Sequence, residues 1–422
     1  MAKDRVVWAA AATAGGVTAT TALARPVGDR LSDLHVYLGA AASPSLYDFT
    51  RGDAPFTYPP FAAMLFRALA HLPVASVHVA WTLATLAVIA LIAALGKPGR
   101  AGPLALALAL SAPIASNLQF GQVSVFLAGL VVVDLLALVV AQPYIPAADT
   151  RLRYHSRRTR WAGSLIGLAA AVKLTPLIFI PLLWCAGRRR AAITATVTFA
   201  GCAAVAALAL PGDSWRFWTA EMFHVNRLGH IASAGNQSLN GMLLRLGVPE
   251  SSRSLLVLTI GGAIAAIGLW RGARLARSGD WLGATIVVGA ASVVLSPVSW
   301  THHQIWLVLA VLLPVSGPAW VRAGWRMVVL AVMLLPVTGI DSPVWTNARL
   351  LLAVVVAAVV PVCRRDNPIT PAAATAPEST ASAVPVPPNR KPSPSTNAPA
   401  VAATTGLVTL TMASGAASPP PE

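Results

Sequence analysis

The sequence is poor in charged residues, which make up only 11% of its 422 positions, and in aromatic residues, which make up 7%. Soluble globular chains carry about 25% charged residues, so this shortage excludes most soluble fold classes. Hydrophobic residues occupy 56% of the positions instead. The composition therefore predicts an all-α integral membrane protein whose main solvent is lipid.

Acidic residues are scarce too, with 15 Asp and Glu against 31 Lys and Arg, and the formal net charge is +16. The arginines stand in short clusters between apolar runs and do not form a patch interleaved with aromatic residues, which nucleic-acid binding would favour. We therefore expect no nucleic acid partner, and interpret the excess as the positive charge of cytoplasmic loops.

Only three cysteines are present, and several chemical signatures are missing. Cys185, Cys202 and Cys363 lie in or at the end of apolar runs, without disulfide or metal-ligand spacing, which favours structural roles. The chain also lacks a Walker loop, a dinucleotide-binding glycine fingerprint and a nucleophile elbow in a suitable context. An energy-coupled pump and a soluble-cofactor enzyme are thus disfavoured, no cofactor is expected, and a divalent metal is not indicated.

Ten apolar runs approach the length of about 20 residues that a helix needs to cross a bilayer core of about 30 Å. Lys3 and Arg5 precede the first run as in a signal peptide, but the many later runs favour an uncleaved first span. The runs cover residues 6–24, 74–95, 102–118, 122–142, 190–210, 254–270, 281–297, 303–317, 325–341 and 346–363.

Basic clusters predict how these spans are oriented, because Lys and Arg accumulate in short cytoplasmic loops. Threading ten spans through the sequence places every cluster on one side, with both termini in the cytoplasm of a multi-pass plasma membrane protein. The clusters are Lys3/Arg5, Lys97/Arg100, Arg151 to Arg160, Arg188 to Arg190, Arg271/Arg274/Arg277, Arg322/Arg326 and Arg364/Arg365.

One apolar segment, residues 161–186, breaks the alternation because it is basic at both ends and is interrupted by Lys173-Leu174-Thr175-Pro176. Each half has about 12 residues, or about 18 Å of helix, too short to span alone. We interpret it as a hairpin that enters and leaves on the cytoplasmic side, broken where Pro176 cannot continue the helix. Longer halves would form two spans and raise the count to twelve.

The remaining chain divides into one membrane domain, residues 1–363, and a tail, residues 364–422. The tail is rich in Pro, Ala, Ser and Thr and is predicted to be a disordered cytoplasmic segment. Four segments fall outside the membrane, and the first of them is expected to be a structured loop that contains an interfacial helix. They are residues 25–73, 117–122, 211–253 and 296–303.

Candidate catalytic residues lie in these outer segments. Asp33 follows the first span closely, and its carboxylate suits proton acceptance, a sugar hydroxyl or a metal, unless it is only a helix cap. His302 and His303 precede the eighth span, and imidazole suits proton transfer near neutral pH. Adjacent residues on a helix point about 100° apart, so we expect only one of them to face a given cavity. The alternative is a hydrogen-bonded interfacial histidine.

Other polar residues are candidates for substrate binding. Lys173 is costly in an apolar hairpin without an anionic partner, and a lipid phosphate fits that role. Snorkelling to the interface or pairing with Asp134 remains the alternative. Uncharged amides suit sugar hydroxyls, although polar turns between spans look the same. They are Asn117, Gln122, Asn236 and Gln237.

Six blocks in this order resemble glycosyltransferase family 87, the polyprenol-phosphate-mannose-dependent α-1,2-mannosyltransferases of mycobacteria and their relatives. The resemblance covers roughly residues 25–363, and the blocks include Tyr37, Tyr58 and Trp300 among the residues expected to bind substrate. The blocks are Asp33-Leu34-His35-Val36-Tyr37, Pro55-Phe56-Thr57-Tyr58-Pro59-Pro60-Phe61-Ala62-Ala63, Gly121-Gln122-Val123, Val172-Lys173-Leu174-Thr175-Pro176, Asn236-Gln237-Ser238 and Ser296-Pro297-Val298-Ser299-Trp300-Thr301-His302-His303.

The resemblance implies a GT-C membrane fold whose extracytoplasmic active site takes mannose from a polyprenyl-phosphate-mannose donor. The implied acceptor is a glycolipid, either a phosphatidylinositol mannoside or, for α-1,2 branching, lipomannan. Asp33, His302 or His303 would supply the base, and Lys173 would hold the lipid phosphate. The long tail and the short N-terminus depart from the family and leave the acceptor open.

Two rival functions fit parts of the sequence. A lipid or sugar transporter would also contain charged residues and broken helices, but transporters place them near the midplane between related halves. Here they crowd one face, and no internal repeat is visible. A glycosyltransferase acting on protein would need a larger outer domain or groove than these loops offer.

Overall fold

The computed structural model describes residues 2–95, 99–140, 161–224, 227 and 229–362. The predicted disordered tail, Cys363 and the basic run from Arg151 to Arg160 lie outside these residues. The described chain is a bundle of helices with one short β-hairpin, in which β1 (Thr50–Arg51) pairs antiparallel with β2 (Ala54–Pro55).

The N-terminal helices include several that match the apolar runs. The helices are α1 (Ala2–Leu23), α2 (Ser32–Ala42), α3 (Pro60–Ala70), α4 (Val74–Ala94), α5 (Ala101–Leu110), α6 (Ala112–Phe120), α7 (Ser124–Val140), α8 (Ser164–Val172), α9 (Phe179–Cys185), α10 (Arg189–Ala209) and α11 (Pro211–Thr219).

The C-terminal helices are more often interrupted by 3₁₀ or π turns. They are α12 (Leu239–Arg245), α13 (Glu250–Leu256), α14 (Gly262–Arg277), α15 (Trp281–Leu295), α16 (Ile305–Leu309), α17 (Ala319–Leu334), α18 (Pro343–Thr346) and α19 (Ala348–Val354). A π turn, Val257–Gly261, joins α13 to α14, and another, Val355–Val359, extends α19.

Four helical segments in the described chain are long and apolar enough to cross a membrane, and a fifth arises if the bent pair α5 and α6 forms one span. Shorter apolar helices occupy most of the other predicted spans. A helical membrane protein is therefore supported, whereas the count of ten to twelve spans stays a prediction. The four segments are Asp4–Leu23, Val74–Ala94, Arg189–Ala209 and Glu250–Arg277.

Several predicted boundaries differ from the observed ones, and prolines explain two of the differences. The run 102–118 bends by 60° between α5 and α6, because Pro113 has no amide hydrogen to donate to the Ala109 carbonyl. Helix α17 ends at Leu334, since Pro336 follows, whereas the run 325–341 predicted a later helix. The run 303–317 contains only α16 and flanking 3₁₀ turns, which end at Leu312.

Helix α15 forms the centre of the bundle and is buried along most of its length. It packs against α14, α7, α16 and α19. The chain leaves α15 at Leu295 and turns directly into the histidine segment, so a rigid helix fixes where that segment begins. The core of the bundle thus supports one wall of the site.

Candidate active site

One large cavity, of about 640 Å³, brings together residues that are far apart in the sequence. Its walls come from α2, the β-hairpin and the Pro55 to Pro59 segment, the break after α8, the loop after α11 and the segment before α16. Among its lining residues are Asp33, Tyr37, Arg51, Asp53, Tyr58, Gln122, Lys173, Glu221, His224, Arg227, Trp300, His302 and His303.

Asp33 lies in the first turn of α2 and lines the cavity. Its Oδ2 accepts a hydrogen bond from Gln122 Nε2, and its Oδ1 accepts one from Ser32 Oγ at 3.2 Å. Burial raises the pKa of Asp33, although these two hydrogen bonds and the charge of Lys173 act in the opposite direction. A carboxylate that is partly desolvated in this way accepts a proton more readily than an exposed one.

Gln122 and two tyrosines connect Asp33 with the opposite wall. The Tyr58 hydroxyl donates to Gln122 Oε1 at 3.1 Å and lies 2.9 Å from the Tyr37 hydroxyl. Gly121, with φ of 69°, ends α6 and turns the chain so that Gln122 follows it into the cavity wall. A Cβ at Gly121 would lie 2.8 Å from Leu31 and Leu34, so the turn also needs the small residue.

Lys173 lies at the break between α8 and a 3₁₀ turn, Thr175–Ile178, where its backbone is extended. Pro176 cannot donate to the Val172 carbonyl, and the chain therefore leaves the helix at this point. The ammonium lies 3.3 Å from the Tyr58 hydroxyl, 4.9 Å from the centre of that ring and 2.7 Å from His303 Nε2. The side chain is thus aimed at the cavity wall.

Asp134, the alternative partner of Lys173, has a different role. Its two carboxylate oxygens accept hydrogen bonds from the backbone amides of Gly163 at 2.8 Å and Ile166 at 2.9 Å. These amides belong to the start of α8, where helices leave donors without partners. Asp134 therefore caps the helix whose far end leads to Lys173.

His302 and His303 belong to a 3₁₀ turn, Thr301–His303, and their rings stand 4.5 Å apart at an angle of 85°. Both line the cavity, so the expectation that only one would face it is wrong. Adjacent side chains diverge by about 120° in a 3₁₀ turn, but the cavity is wide enough for both rings to line it. His303 Nε2 contacts Lys173, while His302 Nδ1 lies 3.4 Å from Ser116 Oγ, and burial lowers the pKa of His302.

Three of the amides expected to bind substrate are not part of the cavity lining. Asn236 is fully buried and donates to the Ile231 carbonyl while its Oδ1 accepts from the amides of Ser238 and Ser299. Gln237 is also buried and joins its loop to α19 through the Leu350 amide. Asn117 is 1% exposed and lies in α6. Trp300, by contrast, lines the cavity and its amide donates to His303 Nδ1 at 3.2 Å.

A charged network that includes two cavity-lining residues, Glu221 and Arg227, was not anticipated from the sequence. Arg216 pairs with Asp48 at 2.6 Å and with Glu221 at 2.7 Å, and Arg227 also pairs with Glu221. The network ties α11 and the loop after it to the loop before the β-hairpin. The only sign of it in the sequence was that segments 25–73 and 211–253 each contain both acidic and basic residues.

The His, Cys, Asp and Glu side chains of the described residues do not form a metal site. No three of them come close enough together to hold an ion. The connected groups around Asp33 and Lys173 are a carboxylate, an ammonium, two imidazoles and two phenols, which suit proton transfer and the binding of an anion.

Comparison with known proteins gives consistent results. Residues 56–297 match the model of glycosyltransferase family 87. A polyprenol-phosphate-mannose-dependent alpha-(1-2)-phosphatidylinositol mannoside mannosyltransferase of Mycobacterium tuberculosis is 33% identical over 68% of this chain and 66% of its own length. No solved structure matches the chain.

For two further relatives, the match covers a larger share of the relative's own length. Each is named polyprenol-phosphate-mannose-dependent alpha-(1-2)-phosphatidylinositol pentamannoside mannosyltransferase. The one from Mycobacterium tuberculosis is 33% identical over 74% of this chain and 73% of its own length. The one from Mycolicibacterium smegmatis is 31% identical over 74% and 76%, respectively. The resemblance seen in the sequence motifs is thereby confirmed, and the chain belongs to glycosyltransferase family 87.

Proposed function

We propose that this protein is an inverting α-1,2-mannosyltransferase that moves mannose from polyprenyl-phosphate-mannose to a phosphatidylinositol mannoside. The observation that carries the proposal is the cavity in which the Asp33 carboxylate and the Lys173 ammonium are joined through Gln122 and Tyr58. The names of the three relatives supply the donor and the acceptor class. The enzyme needs no cofactor in this scheme.

The chemistry assigns one role to each end of the cavity. An acceptor hydroxyl attacks C1 of the mannosyl donor, the bond between C1 and the phosphate oxygen breaks, and the proton of the hydroxyl passes to Asp33. The polyprenyl phosphate leaves with one more negative charge than it had in the donor. Lys173 faces that charge, which is the place where a fixed cation accelerates such a reaction most.

The neighbouring groups position these two residues. His303 Nε2 lies beside the Lys173 ammonium and keeps it in place, so His303 is not free to act as the base. His302 is left to orient the acceptor hydroxyl, and the Trp300 ring offers a face for the sugar. Tyr37 and Tyr58 complete the cavity wall between Asp33 and Lys173. Asn236 and Gln237 shape the loop before α12, and Asn117 shapes the end of α6.

The proposal includes a GT-C architecture of ten to twelve spans, with the active site outside and both termini in the cytoplasm. The origin of the cavity supports this topology. Apart from the segment that begins at Lys173, its lining residues come from the four stretches that the positive charges leave outside the membrane. Residues 161–186 enter from the other side, and their break reaches the cavity.

The proposal is tested by mannose transfer from polyprenyl-phosphate-mannose to phosphatidylinositol mannosides in membranes that contain the full chain. We expect α-1,2-linked products that lengthen the mannoside. Transfer to lipomannan alone would reassign the acceptor to the branching reaction. Absence of transfer to either acceptor, with movement of lipid or sugar across the membrane, would contradict the proposal in favour of a transporter.

Gln122→Glu should move the acid limb of the pH profile for kcat/KM to higher pH. The new carboxylate would lie beside Asp33, and a like charge raises the pKa of its neighbour. A base works in its deprotonated form, so activity is lost as pH falls through that pKa, and a raised pKa means loss at higher pH. The matched control is Gln119→Glu, because Gln119 is not a lining residue. An unchanged profile in Gln122→Glu would remove Asp33 from the base role.

Asn236→Leu should destabilise the protein without changing the donor KM. The substitution leaves three buried backbone groups without partners, each of which costs about 1–3 kcal/mol. Thermal unfolding in detergent and steady-state kinetics measure the two effects. Asn240→Leu is the control, since Asn240 makes one exposed hydrogen bond, to the Pro297 carbonyl. A raised KM with unchanged stability would instead make Asn236 a substrate contact.

A further inference from the structure

A second surface, made of residues that do not line the cavity, combines arginines with exposed tryptophans. We define the arginine–tryptophan surface as the segment from Trp184 to Arg190 together with the segment from Trp270 to Arg277. Trp184 is 52% exposed and Trp270 is 58% exposed. Arg189 lies over the Trp184 ring at 5.6 Å, and Arg274 lies over the Trp270 ring at 4.8 Å.

The two halves of this surface are joined in the fold. Arg277, in the last turn of α14, donates to the Cys185 carbonyl at the end of α9, with Nε at 3.1 Å. Helix α9 also packs against α10 and α14. The Arg188 guanidinium lies 5.8 Å from the centre of the Trp281 ring. Trp281 is buried, so this contact holds the Arg188 segment against the bundle. The arginines therefore project from a rigid base.

Positive charge on this surface is largely uncompensated. Arg188, Arg189, Arg190, Arg274 and Arg277 have no ion-pair partner within the described part of the chain. Asp280, the acidic residue next to them in sequence, is 5% exposed and caps α15 by accepting from the Gly283 amide at 3.1 Å. Within the described residues, these guanidinium groups thus leave positive charge available to bind an anion.

The position of the surface indicates which anion this is. Two of the candidate membrane spans end there, Arg189–Ala209 at its first residue and Glu250–Arg277 at its last. Tryptophan prefers the boundary between lipid and water, and guanidinium groups bind phosphate with two parallel hydrogen bonds. We infer that the arginine–tryptophan surface binds the headgroup of an anionic phospholipid. This inference does not depend on mannosyl transfer.

The test uses the full chain in nanodiscs of phosphatidylcholine alone or mixed equally with phosphatidylglycerol, followed by native mass spectrometry of the lipids that stay bound. The wild type should retain phosphatidylglycerol in preference to phosphatidylcholine. Arg189→Gln/Arg274→Gln should lower that retention roughly tenfold, since each charge near an anionic headgroup contributes to binding. The control Arg322→Gln/Arg326→Gln removes the same charge from α17 and should change retention less than about twofold.

A second measurement needs no charge variant and covers the case in which the double variant fails to fold. Phosphatidylglycerol with brominated acyl chains should quench tryptophan fluorescence more strongly than brominated phosphatidylcholine, and Trp184→Phe/Trp270→Phe should remove that difference. Equal quenching by both lipids in the wild type would overturn the inference. Equal loss of retention in the two arginine double variants would overturn it as well, because only diffuse charge would then be acting.

Discussion

Asp33→Asn should lower mannosyl transfer by about 10²- to 10⁴-fold, the range that a positioned general base contributes. The asparagine amide has nearly the same shape as the carboxylate and can still accept the hydrogen bond from Gln122. It cannot take a proton from the acceptor hydroxyl. We therefore expect the loss in kcat, with the donor KM close to that of the wild type, in an assay with expression matched by immunoblot.

The matched control for this result is Asp53→Asn, which makes the same chemical change on the same cavity. Asp53 lines the cavity but is exposed, in the turn of the β-hairpin. It should change transfer less than about threefold, because Asp53 takes no part in the hydrogen bonds that connect Asp33 with Lys173. A collapse in His302→Ala with full activity in Asp33→Asn would assign the base to the imidazole.

The helices could largely be predicted from the sequence, because lipid requires long apolar runs and charged residues mark their ends. The runs 74–95 and 190–210 correspond closely to α4 and α10. Local backbone chemistry limited the prediction of helix bends and helix ends. The bend before Pro113 and the early end of α17 depend on prolines inside or after a run, and apolar content alone does not place them.

The residue types of the candidate site were also predictable, but their connections were not. Asp33 and Gln122 are 89 residues apart, and Lys173 and His303 are 130 residues apart, yet each pair is in contact. Tertiary packing, such as that of α2 against α6, creates these contacts, and spacing in the sequence does not reveal it. For the same reason the sequence did not distinguish Gln122, which lines the cavity, from Asn236, which holds a loop through backbone hydrogen bonds.

Lys173→Gln should lower kcat by about 10²- to 10³-fold, similar to the removal of one donor that stabilises transition-state charge. The donor phosphate carries one negative charge, and the departing phosphate gains a second as its bond to C1 breaks. The ammonium therefore binds the transition state more tightly than the donor, and the loss should exceed any rise in KM. Steady-state kinetics over a range of donor concentrations separates the two constants.

Two variants make the Lys173 result specific. Arg51→Gln removes another cation from the cavity lining and should have a much smaller effect, because Arg51 is exposed and lies on the β-hairpin. Lys173→Arg keeps the charge but replaces a compact ammonium with a broad guanidinium in the space between Tyr58 and His303. Partial activity in Lys173→Arg would show that charge is the main contribution. A rise in KM alone in Lys173→Gln would mean that Lys173 only captures the donor, and stabilisation of the leaving phosphate would then have to come from another group in the cavity.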